Sequence, residues 1–350
     1  MTAPPLPRLT LSQLAGQRVV YSYPGLNPPP ALFTRIRQSQ AAGVIFFGEN
    51  IRSRGQIAAV IRRLQAARLR SRIRTPLLMM TDQEGGIVRR LPGAPVLSAK
   101  QMGEASDGAL VARRAGSAAG VNLRGAGVNV DLAPVLDVFR QPGDFIDQFQ
   151  RSFSSNPFRV ASLAGAFITA LQRAGVAATT KHFPGLGAAT ASQNTDLGPV
   201  TLALPLGTLR NVDMRPYPAA IRAGVELAMA SWAVYPALDP SRPAGLSTRI
   251  VQGQLRGRLG FRGVTITDAM EAGALQPFGS IGRRTLLAAH AGMDLLLFSA
   301  RDIGEGNQGL GALTTALARR ALRPAAFHAS VARILELRAD VSRRGPLPPP

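Results

Sequence analysis

The sequence predicts an α/β fold, a (β/α)₈ TIM-type barrel in a single domain, and three observations lead to it. Eight short apolar runs rich in strand-forming residues alternate with longer segments of helical periodicity. These runs are apolar at successive positions, as parallel strands covered on both faces require. Polar residues follow several of the runs at their carboxyl ends, where the mouth of a barrel would collect them.

The eight predicted strands are spaced so that a helix fits after each one. Their residues are mainly Val, Ile, Leu, Met and Ala, and glycine or polar loops separate them from the helical segments. The predicted strands are 18–23, 43–47, 76–81, 128–134, 177–181, 227–232, 263–268 and 294–299.

The helical segments place apolar residues on one face. In 158–174, for example, Val160, Leu163, Phe167 and Leu171 recur at helical spacing before Gly175 ends the pattern. The predicted helices are 31–41, 56–72, 106–126, 158–174, 208–223, 247–259, 280–291 and 311–338. A doubly wound open sheet is the alternative fold, but no G-x-G-x-x-G motif follows an early strand.

The length of 350 residues and a hydrophobic content of 46% suit one large globular domain. We expect the barrel to span residues 8–340. Both ends are rich in proline, which predicts a flexible tail over 1–7 and a Pro-rich tail over 341–350.

The formal net charge of +21 raises a nucleic acid as a partner. The arginines are spread along helix faces, however, and no aromatic-basic platform or known binding motif accompanies them. Nucleic-acid binding is therefore the third hypothesis and is not the expected function.

No cysteine is present, which excludes disulfides and thiolate chemistry. The first residues lack the basic and apolar regions of a signal peptide, and no apolar run reaches the length of a membrane span. These observations predict a cytoplasmic protein, with export as the alternative if the true start lies elsewhere.

Candidate functional residues lie at the ends of three of the predicted strands. Asp82 follows the third, Lys181 and His182 end the fifth, and Asp268 ends the seventh. Asp268 could instead cap a following helix, and the Lys-His pair could be ordinary strand-end residues. The chain has 41 basic residues of which only two are lysines, and this favours a special place for Lys181, where a compact ammonium fits and a guanidinium does not.

Other kinds of site find no support in the sequence. The three histidines are too scattered for a metal site, and no G-x-S-x-G motif of a serine hydrolase occurs. No metal or organic cofactor is implied. A pocket rich in carboxylates and neutral donors suits sugar recognition and the chemistry of glycosidic bonds.

Five segments, in this order and spacing, resemble the barrel domain of glycoside hydrolase family 3, and especially the compact bacterial β-N-acetylhexosaminidases that consist of this barrel alone. The resemblance covers roughly residues 8–340. The segments are TDQEGGIVRRLPG (81–93), VNVDLAPVLDV (128–138), QRSFSSNP (150–157), KHFPGLG (181–187) and GVTITDAMEAGAL (263–275).

The resemblance implies a retaining glycosidase that acts on terminal β-linked N-acetylhexosamine or a related β-glycoside, with cell-wall amino sugars as the substrate class. It implies that Asp268 is the nucleophile. The residues that it implies for binding the sugar at the cleavage site are Asp82, Arg151, Lys181 and His182.

The general acid/base of the family has no direct counterpart. Compact hexosaminidases read KHFPGHG followed by Asp-Ser-His, whereas this chain has Leu186 for the histidine of the first motif and Ser192-Gln193-Asn194 for the triplet. Ile87 also replaces a common arginine. We expect Asp196, two residues after the triplet, to swing in on the 185–196 loop as the provisional acid/base.

Two alternatives stay open at this point. The enzyme could use leaving groups that need little protonation, or an acid from another subunit. Otherwise the chain would be a catalytically weak or inactive barrel that binds sugar.

Overall fold

The computed structural model describes residues 9–344, and these form the predicted barrel. Eight strands pair in parallel in chain order, and the last strand pairs with the first, as in the register Val19↔Leu296, to close the sheet. The strands are β1 Val19–Tyr21, β2 Gly43–Ile45, β3 Leu78–Thr81, β4 Val130–Asp131, β5 Ala177–Phe183, β6 Leu227–Ala230, β7 Val264–Ala269 and β8 Leu295–Leu297.

Helices surround the sheet. Asn156 accepts hydrogen bonds from the first free N–H groups of Pro157–Arg173, and Ser280 caps Ile281–Ala291 in the same way. The main helices are Leu11–Gly16, Pro30–Arg37, Arg54–Arg68, Ala99–Glu104, Gly108–Ala126, Pro157–Arg173, Leu206–Thr208, Tyr217–Arg222, Ile281–Ala291, Ile303–Ala318 and Pro324–Arg343, with wider π-type turns over Leu209–Asp213 and Arg249–Arg258.

The predicted single helix over 311–338 is wrong. Two helices, Ile303–Ala318 and Pro324–Arg343, occupy this region. Arg320 takes a left-handed conformation with φ of 54°, and Pro324 is suited to the first turn of a new helix, so the chain turns between them. The predicted helix over 208–223 is also divided, because Pro216 begins the separate helix Tyr217–Arg222.

The helix Pro324–Arg343 closes the end of the barrel where the strands begin. Its Ile334, Leu337 and Val341 pack into the apolar cluster inside the barrel, and Arg338 donates to the carbonyls of Thr75 and Pro76 just before β3. The carboxyl ends of the strands are therefore the end at which a ligand enters.

The same helix corrects the predicted domain boundary. The helix continues to Arg343 and buries Val341, so 341–343 belong to the barrel and not to a Pro-rich tail. Residues 345–350 of that tail, like the predicted flexible tail 1–7, lie outside the described residues.

Candidate active site

A cavity of about 670 Å³ opens at the carboxyl ends of the strands. All six residues that the sequence singles out lie in its wall, although they come from distant parts of the chain. They are Asp82, Arg151, Lys181, His182, Asp196 and Asp268.

Bulges in two strands turn the key side chains toward the cavity. In β5, three residue steps from Thr180 to Phe183 face only two in β6, and in β7 three steps from Ile266 to Ala269 face only two in β8. Each bulge adds one residue and interrupts the alternation of side chains between the two faces of the sheet. Lys181, His182 and Asp268 all lie within these bulges.

Lys181 is buried between two carboxylates. Its Nζ lies 2.7 Å from Asp82 Oδ1 and 2.7 Å from Glu84 Oε1. Burial alone would lower the pKa of Lys181, but Asp82 and Glu84 outweigh burial and raise it. The ammonium is therefore charged and fixed in one position.

Arg151 completes this network from the other side of Glu84. Its Nε donates to Glu84 Oε2 at 2.9 Å and its Nη2 to Oε1 at 2.8 Å, a bidentate pair. Burial opposes the charge on Glu84, but Arg151 and Lys181 outweigh it and lower the pKa of Glu84 to about 2. Glu84 therefore aligns the two cations, and Asp82 remains at the cavity surface.

His182 is oriented by Asp137, which follows β4. The His182 Nδ1 lies 2.7 Å from Asp137 Oδ2, while the backbone N–H groups of His182 and Leu186 donate to Oδ1. Burial would raise the pKa of Asp137, but His182 and these hydrogen bonds lower it. Because a carboxylate only accepts, the proton of the ring lies on Nδ1 and Nε2 is left for a ligand.

Asp268 lies at the end of β7. Its Oδ1 accepts a hydrogen bond from the Ala269 N–H at 2.8 Å, and the buried Trp232 donates to the Ala269 carbonyl at 2.8 Å. The turn of helix that follows starts only at Gly273, with Ala272 at its N-cap. Asp268 is therefore not a helix cap, and its carboxylate is available in the cavity.

Asp196 lines the cavity on a loop that is anchored in place. The Gly273 N–H donates to the Asp196 carbonyl at 2.8 Å and the Ala274 N–H to the Thr195 carbonyl at 3.0 Å. A Cβ on Gly273 would lie 2.3 Å from the Leu197 carbonyl oxygen, so this approach needs glycine. The expected swing of the loop is not needed, because Asp196 already lines the cavity.

Asn194 takes part in this placement, although it stands where the hexosaminidases have a histidine. Its Oδ1 accepts a hydrogen bond from the Asp196 N–H at 2.8 Å. The side chain of Asp196 is exposed at the rim of the cavity, but its inner side is desolvated. That desolvation, and next the charge of Asp268, raise the pKa of Asp196.

Two parts of the cavity wall differ in kind. We call Asp82, Arg151, Lys181 and His182 the binding wall. The carboxyl wall consists of Asp196, Asp268 and Glu271.

Sequence reasoning missed four acidic residues of the site and its surroundings: Glu84, Asp137, Glu271 and Glu305. Glu84, Asp137 and Glu271 all lie within the five segments that resemble the family, and Glu271 comes three residues after Asp268. Their closeness in sequence to the predicted site residues could have identified these three. Glu305 lies on the later helix Ile303–Ala318, and no motif marks it.

The two other departures from the family pattern differ in position. Ile87 is 69% exposed and does not line the cavity, whereas Arg90 of the same segment does. Leu186 is buried and forms an apolar part of the cavity wall.

Residues 9–344 contain no group of three His, Asp or Glu side chains placed to hold a metal ion. Within the same range, no helix has the length and hydrophobicity for crossing a membrane.

A parallel barrel whose mouth combines carboxylates with a fixed ammonium, guanidinium and imidazole suits the hydrolysis of glycosidic bonds. The sequence matches the glycosyl hydrolase family 3 N-terminal domain over residues 11–337. The chain belongs to this family, which confirms the resemblance.

Similar proteins agree with this assignment. An "Uncharacterized secreted glycosyl hydrolase" of Arthroderma benhamiae is 45% identical over 342 residues, which cover 97% of this chain and 96% of that protein. A "Beta-hexosaminidase" of Xanthomonas oryzae pv. oryzae is 36% identical over 269 residues, or 75% of this chain and 77% of that protein.

Among solved structures, a glycoside hydrolase family 3 β-N-acetylglucosaminidase from a Paenibacillus strain superimposes with a TM-score of 0.91 at 33% identity. The match covers 97% of this chain and 64% of the Paenibacillus chain. The chain therefore spans about two thirds of that protein.

One expectation is corrected by these comparisons. The sequence predicts a cytoplasmic protein, but the Arthroderma relative is described as secreted. The cytoplasmic assignment is wrong on this finding.

Proposed function

We propose that this protein hydrolyses terminal β-linked N-acetylhexosamine with retention of configuration, and that Asp268 is the nucleophile and Asp196 the acid/base. The observation that carries the proposal is the presence of both carboxyl groups in one cavity, close enough that the charge of Asp268 raises the pKa of Asp196. The names of the Xanthomonas and Paenibacillus proteins support the substrate class.

In the first step, an Asp268 oxygen forms a bond to the anomeric carbon as the bond to the glycosidic oxygen breaks. The Asp196 carboxyl gives its proton to that oxygen, and the aglycone leaves as an alcohol. In the second step, Asp196 takes a proton from water, the water oxygen bonds to the anomeric carbon, and Asp268 leaves as a carboxylate.

The charge on Asp268 couples these two roles of Asp196. In the free enzyme the ionised nucleophile favours the protonated form of Asp196, as an acid requires. Once Asp268 is esterified by the sugar its charge is gone, and the pKa of Asp196 falls. Asp196 then loses its proton readily and serves as the base.

The binding wall holds the sugar at the cleavage site. Asp82 offers a carboxylate that accepts from two hydroxyls, Lys181 and Arg151 donate, and His182 presents Nε2. Fixed charges that need no rearrangement on binding lose little entropy. We further propose that 8–343 form one catalytic domain, and that the protein is exported like its Arthroderma relative.

The test is the release of p-nitrophenol from its β-N-acetylglucosaminide by the wild type, D268N and D196N. Turnover by the wild type and its loss in D268N support the enzyme. Absence of turnover by the wild type, together with binding of N-acetylglucosamine, would leave a sugar-binding barrel instead.

A further inference from the structure

Behind the carboxyl wall lies a pair of acidic side chains that the proposed reaction does not use. Glu271 lines the cavity, and Glu305 lies behind it, 4% exposed, in the first turn of the helix Ile303–Ala318. The backbone N–H groups of Ser299 and Ala300, which are neighbours in the chain, donate to Glu271 and to Glu305 respectively, so the two carboxyl groups lie close together. Two ionised carboxylates this close would repel strongly, and a proton on one of them relieves the repulsion.

An unpartnered oxygen leads to the same conclusion. Glu305 Oε1 is buried, and no donor among residues 9–344 reaches it. A buried oxygen without a hydrogen bond is costly, and a proton on Glu305 that is donated to Glu271 removes this cost.

The neighbouring donors decide which residue holds the proton. Ser299 donates to both oxygens of Glu271, from Oγ at 2.8 Å and from its backbone N–H at 3.3 Å. Glu305 receives a single bond, from the Ala300 N–H at 3.2 Å. Because donors stabilise the ionised form, Glu271 is the carboxylate and Glu305 the acid.

Charged groups on the surrounding elements fit this assignment. Asp302, before the helix, adds negative charge that favours a protonated Glu305, whereas the charge of Asp268 on β7 acts on Glu271. Arg284, from Ile281–Ala291, is near both residues, but its guanidinium donates to the carbonyls of Met270 and Gly279. The helix N-terminus favours the ionised form of Glu305, yet burial and Glu271 outweigh it and raise the pKa of Glu305 to about 8.

We propose that Glu305 is a positioning residue whose proton holds Glu271 in the carboxyl wall, where Glu271 accepts a hydrogen bond from a hydroxyl or acetamido N–H of the bound sugar. This inference rests on the proposed sugar site. It adds a contact from the carboxyl wall to those of the binding wall.

A rise in pH should separate Glu271 from Glu305 and weaken the binding of the sugar. As Glu305 loses its proton, two carboxylates face each other and Glu271 is displaced. One pH unit above the pKa of Glu305, roughly a tenth of the protein keeps the pair, so affinity for the sugar falls about tenfold.

The test measures the binding of N-acetylglucosamine by calorimetry at pH 7 and pH 9, with wild type, E305Q and E305L. Glutamine is neutral and keeps a donor toward Glu271, so E305Q restores most of the affinity that E305L loses and removes the decline at pH 9. E336Q, an exposed position, serves as the matched control and keeps the wild-type decline. Equal losses in E305Q and E305L, or an unchanged decline in E305Q, would overturn the proposal.

A second measurement separates this proposal from the proposed function. The infrared band of a protonated carboxyl at pH 7, absent in E305Q, reports the proton on Glu305 without any ligand. If the band is missing from the wild type, the proposed proton on Glu305 is wrong. If the band is present but no sugar binds at either pH, the sugar site is wrong, and the contact with Glu271 falls with it.

Discussion

The binding wall and the carboxyl wall face the same cavity but differ in how their charges are balanced. On the binding wall, Lys181 lies between Asp82 and Glu84, and His182 is bound to Asp137. On the carboxyl wall, no cation among residues 9–344 forms an ion pair with Asp196, Asp268 or Glu271. Their hydrogen bonds come from neutral donors.

This difference separates binding from proton transfer. Opposite charges in contact raise the pKa values of Lys181 and Arg151 and lower that of Glu84, so these groups stay ionised, which suits a rigid site for hydroxyls. On the carboxyl wall, burial and the charge of Asp268 raise the pKa values of Asp196 and Glu271, which suits a group that must give and take a proton. Each prediction below changes one member of a wall or, in the last case, the residue behind the carboxyl wall.

The largest effect is expected for D268N. The asparagine keeps an oxygen for the Ala269 N–H but cannot form the glycosyl ester, so kcat falls on the order of 10⁴-fold or more. Release of p-nitrophenol measures this change, and circular dichroism verifies the fold. Activity within about tenfold of wild type would exclude Asp268 as the nucleophile.

A smaller loss is expected for D196N. Removal of a general acid/base costs about 10²–10⁴-fold in kcat for a leaving group that needs a proton. With a dinitrophenyl leaving group, which departs without protonation, D196N should carry out the first step at nearly the wild-type rate. D107N, at an exposed helix N-cap outside the cavity, is the matched control. An equal loss with both leaving groups would remove Asp196 from the acid role.

On the binding wall, K181M should lower the free energy of unfolding by about 3–5 kcal/mol, because it removes the buried ammonium that Asp82 and Glu84 share, and leaves Asp82 without an ion pair and Glu84 with Arg151 alone. The matched control is K100M, which removes the other lysine of the chain. Lys100 is 28% exposed and has one carboxylate partner, the buried Asp147, which also accepts from the Gly143 N–H, so its loss should cost less, on the order of 1 kcal/mol. Urea unfolding compares the two variants, and similar costs for both would contradict the role of Lys181.

The smallest effect concerns stability and pH. The folded protein keeps the proton of Glu305 up to about pH 8, whereas an unfolded glutamate loses it near its ordinary pKa. The folded state binds more protons between these values, so this residue makes stability fall with rising pH, by on the order of 1 kcal/mol per unit. Thermal unfolding of E305Q from pH 5 to pH 8 should show a shallower decline, and a slope equal to wild type would contradict the account.

The sequence was sufficient for the strands and for the residues at their ends. All eight predicted strands form in order, because apolar runs of this kind gain stability as buried parallel strands. The binding roles of Asp82, Arg151, Lys181 and His182, inferred from the family resemblance, stay predictions. Their position in one cavity follows from the topology of a barrel.

What sequence could not supply was the tertiary detail of the site. The bulges at 180–183 and 266–269 depend on register with neighbouring strands, and no local pattern marks them. The pairing of Glu271 with Glu305 joins two elements through burial, which a linear pattern does not show. The anchoring of Asp196 by Gly273 likewise depends on contact between two distant loops.

Mass spectrometry of a trapped intermediate tests the central claim most directly. D196N, mixed with dinitrophenyl β-N-acetylglucosaminide, should form the glycosyl ester rapidly and hydrolyse it slowly, because the base for the second step is missing. The account predicts one N-acetylhexosaminyl group on the peptide that contains Asp268. Rapid turnover without any adduct, or an adduct on a different carboxylate, would contradict it.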